Sequence, residues 1–171
     1  MLRNSLVIGI IAAGISIISG RSASAEDDID AGALAKALSE ASIPLDQGLK
    51  ASEREGLPIS GEYDLEDGAL QLSIYVVKGD KFTEVIVDHK TGSIKKAEPI
   101  TDADDLGDAK QQAEAMEKAK LSLEKAVGDA VTANSGYRAV SAMPMLSSGQ
   151  PEAKITLLKG EEIKVVIEKL N

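Results

Sequence analysis

Apolar residues along the chain follow a helical spacing first and a strand spacing afterwards, and this order occurs twice. Ala35, Leu38 and Ala41 recur at three-residue intervals, which is the spacing of one helix face. Residues 113–119 repeat this pattern 78 positions later. Each helical stretch precedes residues that alternate apolar and polar, as half-buried strands do. The pattern therefore predicts the same helix-then-strand arrangement in both halves of the chain.

Turn signals divide the alternating regions into individual strands. Asp67-Gly68 is a strong hairpin signal because both residue types accept the backbone angles of a tight turn. Gly79-Asp80 marks a second turn in the first half. The predicted strands are 59–66, 70–78, 82–88, 93–98, 137–146, 153–160 and 162–170. Because short turns connect consecutive strands, we expect antiparallel meanders.

The two halves also share the residue types that begin and end a helix. Segment 43–56 matches a segment 78 positions later, with Pro44 and Ser122 at the predicted helix starts. Proline tolerates the first helical turn, and a serine hydroxyl accepts a hydrogen bond from an unpaired N–H there. Gly56 and Asn134 stand at the predicted helix ends, where a left-handed cap is expected.

A repeat of this length predicts two related units. The stretches 76–79 and 157–160, VVKG and LLKG, correspond at an offset of 81, three more than the helices, which indicates a small insertion. Each unit is small for a core of its own, so we expect the two to pack together. The predicted fold is α+β, with two repeated units that each pack helices on one face of an antiparallel β-meander.

The first 25 residues have the features of a signal peptide. A short basic start with Arg3 precedes the apolar run 5–19, and the small residues 23–25 follow as a cleavage site. An uncleaved membrane anchor is the alternative, but the apolar run is short for a bilayer span. We expect cleavage after Ala25, export to the periplasm or beyond, and no membrane span in the mature chain.

Charge and cysteine content restrict the function classes. Without Arg3 and Arg21, 17 basic residues face 28 acidic ones, so the mature chain carries a net charge of 17 − 28 = −11. Such a surface repels phosphate backbones, and nucleic acid is therefore not an expected partner. The chain has no cysteine, which excludes disulfides and thiolate metal sites.

His89 is the only histidine and lies in a turn between two predicted strands. A catalytic histidine needs a nearby acid to orient it, but the side chain of Asp88 leaves a strand end on the opposite side. We expect Asp88 to bond to N–H groups of the turn and Gly92 to supply a positive φ angle. His89 is therefore interpreted as a structural turn residue.

Segment 102–108, DADDLGD, partly resembles a calcium-binding loop. Asp102, Asp104 and Gly107 fit that pattern, but Leu106 and Ala113 replace two of its ligands. The alternative is an acidic linker that ends at a helix cap, with Asp108 as the capping residue. We favour the linker and expect no metal ligands here.

Neighbouring carboxylates are numerous, and none is isolated in an apolar setting. A general acid needs burial to raise its pKa, whereas these pairs are expected to be solvated. The pairs are Glu53 with Glu55, Glu62 with Asp64, and Glu161 with Glu162. No nucleophile motif, phosphate loop or dinucleotide fingerprint occurs, so the sequence predicts no catalytic residue, metal site or cofactor.

The residues Val87-Asp88-His89-Lys90-Thr91-Gly92 resemble the closing V-D-x-x-T-G motif of the PepSY domain family, and 66–68 and 79–85 match its preceding turns. The resemblance covers about residues 43–98. Segment 121–170 is similar in its helix and hairpin but lacks the closing motif, so it resembles a degenerate copy. The implied domains are a signal peptide 1–25, a PepSY-like unit 26–98, an acidic linker 99–108 and a second unit 109–171.

The PepSY resemblance implies a cystatin-like fold and a non-catalytic role in binding or inhibiting peptidases outside the cytoplasm. The expected function is therefore an exported protein-interaction module whose partner is an envelope protein such as a peptidase. The alternative is a periplasmic protein that binds a small ligand or a cation through its acidic surface. A hydrolase with an unfamiliar site is the least supported class, because the chain has one His and no Cys.

Overall fold

The computed structural model describes residues 30–171, and the predicted signal peptide, residues 1–25, lies outside the described residues. This part of the chain is α+β and contains four helices and seven strands. The helices are α1 (Ala31–Leu38), α2 (Leu45–Ser52), α3 (Ala103–Lys118) and α4 (Leu123–Ala133). The strands are β1 (Leu57–Glu66), β2 (Ala69–Lys78), β3 (Lys81–Val87), β4 (Ile94–Pro99), β5 (Arg138–Ser147), β6 (Gln150–Lys159) and β7 (Glu162–Lys169).

All seven strands belong to one antiparallel sheet in the order β4-β3-β2-β1-β5-β6-β7. Consecutive hairpins form each side of the sheet, as the turn signals predicted. The two sides meet at the centre, where Gly61 of β1 lies opposite Ala142 of β5 and Glu62 lies opposite Ser141. The two halves are therefore joined by strand pairing as well as by packing.

Helices α2 and α4 pack side by side and cover one face of the sheet. Gly61 lies beneath α2, and a Cβ atom there would be 2.6 Å from Cδ1 of Ile74 and 3.3 Å from Cδ2 of Leu49. Glycine at this position lets α2 approach the sheet closely. The largest fully buried side chains of the core are Leu45, Leu49, Ile59, Leu72, Ile74, Leu123, Ile155, Leu157 and Leu170.

Helix α3 lies on the opposite face, so the prediction that all helices share one face is wrong. Ser60 and Gly61 are consecutive on β1 and point to opposite faces. Gly61 faces α2, whereas the hydroxyl of Ser60 is 2.8 Å from Oε1 of Gln112 on α3. The polar residues on this face of the sheet did not indicate that a helix covers them. Small residues of α3, such as Ala109 and Ala113, allow the helix to pack closely over this polar face.

Most of the predicted acidic linker, residues 99–108, is the beginning of α3. The connection between β4 and α3 is therefore shorter than predicted. Asp102 caps the helix, since its side chain accepts hydrogen bonds from the N–H groups of Asp104 at 2.9 Å and Asp105 at 3.3 Å. Asp108 lies inside the helix, so its predicted capping role is wrong. Both aspartates have the residue type of an N-cap, and acids also suit the first helical turn, so local pattern alone could not separate them.

The caps of α2 and α4 agree with the sequence at their starts and differ at their ends. Pro44 and Ser122 are the N-caps, and the Ser122 hydroxyl accepts from the N–H of Lys125 at 3.2 Å. Helix α2 ends before Gly56, where a Cβ atom would be 2.6 Å from the carbonyl oxygen of Val77. Asn134 does cap α4 but has a φ of −124°, so neither predicted left-handed cap occurs.

Arg138 connects β5 to the chain around α1. Its guanidinium donates hydrogen bonds of 3.0 Å to the carbonyl oxygens of Leu38 and Ile43. The same guanidinium lies 5.5 Å from the centroid of the Tyr63 ring, and the Tyr63 hydroxyl also donates to the carbonyl of Ile43. This contact links the first helix of one half to the first strand of the other.

Among residues 30–171, no helix has both the length and the hydropathy that crossing a bilayer requires.

We expect Gly61→Ala to lower the free energy of unfolding by about 1–3 kcal/mol, because the new methyl group overlaps Ile74 beneath α2. Chemical denaturation measures this change. Gly128→Ala in α4 is the control, since no atom lies within 4 Å of its Cβ position and alanine favours a helix by about 0.5–1 kcal/mol. A Gly61→Ala protein as stable as the wild type would contradict the close approach of α2.

Candidate functional site

The turn that contains His89 is held by main-chain hydrogen bonds and by Asp88. The carboxylate of Asp88 accepts from the N–H groups of Lys90 at 2.8 Å and Thr91 at 2.9 Å, as predicted. These bonds, with Lys95 at 3.1 Å, hold the pKa of Asp88 well below its usual range. Gly92 has the expected positive φ, 76°.

His89 contributes to the structure of this turn through its backbone more than through its imidazole. Its carbonyl oxygen accepts from the N–H groups of Ser42 at 2.9 Å and Ile43 at 3.0 Å, which fixes the approach to α2. Its Nδ1 is buried and has no hydrogen-bond partner among residues 30–171. Burial lowers the pKa of His89, and the cations Lys95 and Lys90 lower it further. The lowered pKa disfavours the charged imidazole, and the neighbouring acid Asp88 binds the turn and does not orient the imidazole.

Most of the predicted solvated acids are on the surface. Glu53 forms an exposed ion pair with Lys50 at 2.9 Å, and Glu55 lies 3.5 Å from Arg54. Glu161 and Glu162 are exposed in the turn and first residue of β7. Exposed pairs of this kind contribute little to stability, and they leave no acid in a special environment.

Glu62, whose neighbour Asp64 is half-buried, is the clearest exception, and the prediction that these two acids are solvated is wrong. Its side chain points to the α3 face of β1 and is only 5% exposed. Burial, together with the nearby carboxylates Asp64 and Glu84, raises its pKa to about 8. A hydrogen bond with Tyr75 opposes this shift. Glu62 is therefore mainly protonated at pH 7.

Further acids surround Glu62 on the same face. Burial raises the pKa of Asp64 to about 6 and also raises the pKa of Asp105 at the start of α3. Asp64 has one buried carboxylate oxygen without a hydrogen-bond partner in the described part of the chain. Sequence reasoning missed this cluster because its members come from β1, β3 and α3, and only the placement of α3 brings them together.

The space around these acids consists of a small cavity and an open groove. The cavity beside Glu62 has a volume of about 20 Å³, which is the scale of one water molecule and too small for an organic substrate. The groove between β3, β4 and α3 has a volume of about 330 Å³. Its lining residues are Tyr75, Glu84, Glu98, Pro99, Ile100, Thr101, Asp102 and Asp105. The groove is therefore acidic and suits a basic segment better than an anion.

Within residues 30–171, no three His, Cys, Asp or Glu side chains are grouped so that they could hold a metal ion. In the segment that partly resembles a calcium loop, Asp102 instead caps α3 and Asp104 belongs to the first helical turn.

The α3 face also carries exposed apolar side chains. Leu57 pairs with Val77 and is 46% exposed, and Met145 near the end of β5 is 43% exposed. Ile163 and Ile167 of the edge strand β7 point to the same face and are 41% and 51% exposed. Large apolar residues exposed on one face of a protein are typical of an interaction surface.

Comparison with family models, with curated proteins and with solved structures finds no match to this chain.

We expect Glu62→Gln to stabilise the protein increasingly as the pH rises from 5 to 8.5. The folded wild type retains a proton that the unfolded chain releases above its ordinary pKa of 4.5, so the contribution of Glu62 to wild-type stability falls as the pH rises to about 8. Glutamine stays neutral, and the gain should reach about 1–3 kcal/mol at pH 8.5. Denaturation at both pH values measures it, with the exposed Glu161→Gln as control; a gain that does not change with pH would contradict the burial of Glu62.

We expect Asp88→Ala to lower the thermal midpoint at pH 7, because the N–H groups of Lys90 and Thr91 lose their acceptor. Since the folded pKa of Asp88 is depressed, its contribution is present above pH 4 and disappears as the pH falls below that value. His89→Ala keeps the main-chain bonds and should lower the midpoint less. The structural interpretation of the turn fails if His89→Ala is the more damaging change.

Proposed function

We propose that this chain is an exported, non-catalytic protein-interaction module composed of two related PepSY-like units. Its partner is another protein of the cell envelope, and a peptidase is the class that the PepSY resemblance implies. Binding would restrain that peptidase.

Strand register supports the relation between the two units. Gly61 lies opposite Ile74 in the β1–β2 pair, and Ala142 lies opposite Ile155 in the β5–β6 pair, so both partners differ by 81 positions. The register shifts after Pro58 in the first pair and after Ala139 in the second, again 81 positions apart. An irregularity at corresponding positions is favoured by a common origin and is improbable for two unrelated hairpins.

Main-chain contacts support the same relation and bear on the role of His89. In the second unit, the N–H groups of Lys120 at 2.6 Å and Leu121 at 3.0 Å donate to the carbonyl of Leu170. Leu170 lies 81 positions after His89, whose carbonyl accepts the corresponding pair of bonds. Because a leucine takes the same role, that role needs no imidazole, which favours a non-catalytic turn.

The observation that carries the proposal is the exposure of Leu57 and Met145 on the α3 face. Helix α3 covers the middle of this face and leaves these two side chains in water, which costs solvation free energy that a bound partner would recover. The acidic groove lies on the same face. A complementary partner surface would therefore present apolar side chains together with lysine or arginine.

Capture from an envelope extract tests this function. The immobilised wild-type chain should recover a specific protein whose peptidase activity falls when free chain is added. The double variant Leu57→Ser, Met145→Ser should recover at least about fivefold less, because exposed apolar anchors contribute about 1 kcal/mol or more each at an interface. Substitution of such exposed positions leaves the fold largely unchanged.

Lys110→Ser, at an exposed position of α3, is the matched control and should capture as much as the wild type. Recovery of no specific protein, or equal recovery by the double variant, would contradict the proposed surface. Capture of a protein whose activity the chain does not change would exclude the peptidase as the partner class.

A further inference from the structure

The two edges of the sheet differ in how they oppose pairing with another strand. Strand β4 carries Lys95, Lys96 and Pro99, and its pairing with β3 is irregular between Ile86 and Val87. Proline and irregular register are devices that protect an edge, as are charged side chains, which both edge strands carry. Strand β7 has a regular register along all eight residues and contains no proline. The sheet order ends at β7, and no strand of residues 30–171 pairs with its outer side.

The residues of β7 whose main-chain groups point to the open edge can be identified from β3, the corresponding strand of the first half. The carbonyl of Phe82 accepts from the N–H of Ile100 at 3.0 Å, so Phe82 directs its main-chain groups away from β2. At an offset of 81 the corresponding residue is Ile163, and alternation adds Val165 and Ile167. These residues therefore direct their N–H and C=O groups to the edge with which no strand of the described residues pairs, and their side chains point to the α3 face.

We propose that β7 pairs antiparallel with β7 of a second copy of this chain, with Val166 opposite Val166 at the twofold axis. This register places Val165 opposite Ile167 of the other copy, twice. Both residues have outward main-chain groups, so they form the hydrogen-bonded pairs of an antiparallel ladder. The two sheets then continue as one sheet across the dimer.

Charge complementarity favours this register over the one whose axis lies at Val165. With Val166 at the axis, Lys164 lies opposite Glu168 of the other copy, and the symmetry creates this pair twice. A shift of the axis to Val165 would instead place Glu162 opposite Glu168, two like charges on the same face. This register also buries apolar surface. Ile167 is 51% exposed in the single chain and would contact Val165 of the second copy.

A charge exchange tests both the dimer and its register. Sedimentation equilibrium of the purified chain should show a monomer–dimer equilibrium. Glu168→Lys places a lysine opposite Lys164 of the other copy and should raise the dimer dissociation constant about tenfold or more, since two attractive pairs become repulsive. Lys164→Glu should do the same, because it places a glutamate opposite Glu168 of the other copy.

Mixing the two single variants is the decisive measurement. Each mixed dimer contains one unchanged Lys164–Glu168 pair, and the two introduced side chains form a second attractive pair with the charges exchanged. Mixed dimers should therefore form with nearly wild-type affinity while neither variant dimerises alone. Glu162→Lys, on the same strand and face, is the matched control and should change the dissociation constant less than about twofold. Circular dichroism of each variant confirms that the fold is intact.

Other outcomes overturn the inference. A wild-type chain that remains monomeric at high micromolar concentration would show that β7 does not take a second copy. If Glu168→Lys strengthened the dimer, the axis would lie at Val165 and the proposed register would be wrong. Neither result affects the envelope partner proposed above, because that partner is assigned to Leu57 and Met145 and its capture is measured separately.

Discussion

The pairing of β1 with β5 is the interaction on which the rest of the structure depends. Gly61 opposite Ala142 joins two sets of hairpins into one seven-stranded sheet. Because the central strands have no bulky side chain at this point, α2 packs closely above the junction and meets α4 beside it. Arg138 adds a second link, since it donates to carbonyls of the first half from a strand of the second. A shared sheet and a shared helix layer give the two halves of the chain one core that neither half would have alone.

The two faces of this sheet have different physical characters. The face under α2 and α4 is apolar and closed, whereas the opposite face is crossed by a single helix, α3, over a row of polar residues. That arrangement buries Glu62 among other acids and raises its pKa, and it leaves Leu57 and Met145 exposed at the same time. The cavity beside Glu62 is too small for a substrate. Exposed apolar anchors and an acidic groove on this face support recognition of another protein.

Much of the fold could be predicted from the sequence because strand alternation and turn residues are local signals. Asp67-Gly68 and Gly79-Asp80 mark turns that the structure contains, and Ser122 begins its helix as its hydroxyl chemistry predicts. The seven strands lie within a few residues of the predicted ranges. The turn at Asp88 was likewise predictable, since an aspartate that follows a strand binds the N–H groups next along the chain.

What the sequence could not predict depends on contacts between distant segments. Alternation assigned Glu62 to a polar face and could not indicate that α3 covers it, because residues about 50 positions away decide its burial. The same limit applies to Asp108, which has the residue type of an N-cap but lies inside α3, because Asp102 caps that helix. The exposure of Leu57 was not predictable either, because an apolar residue that begins a strand is ordinarily expected in a core.

Native-state hydrogen exchange shows whether the two halves of the sheet unfold together, because it measures the stability of each half separately. We expect the most protected amides of β2 and of β6 to exchange with the same free energy of opening, equal to the free energy of global unfolding. Both halves then unfold as one cooperative unit. If the amides of one half exchanged through an opening well below that value while the other half stayed protected, the junction at Gly61 and Ala142 would not unite the two halves of the sheet.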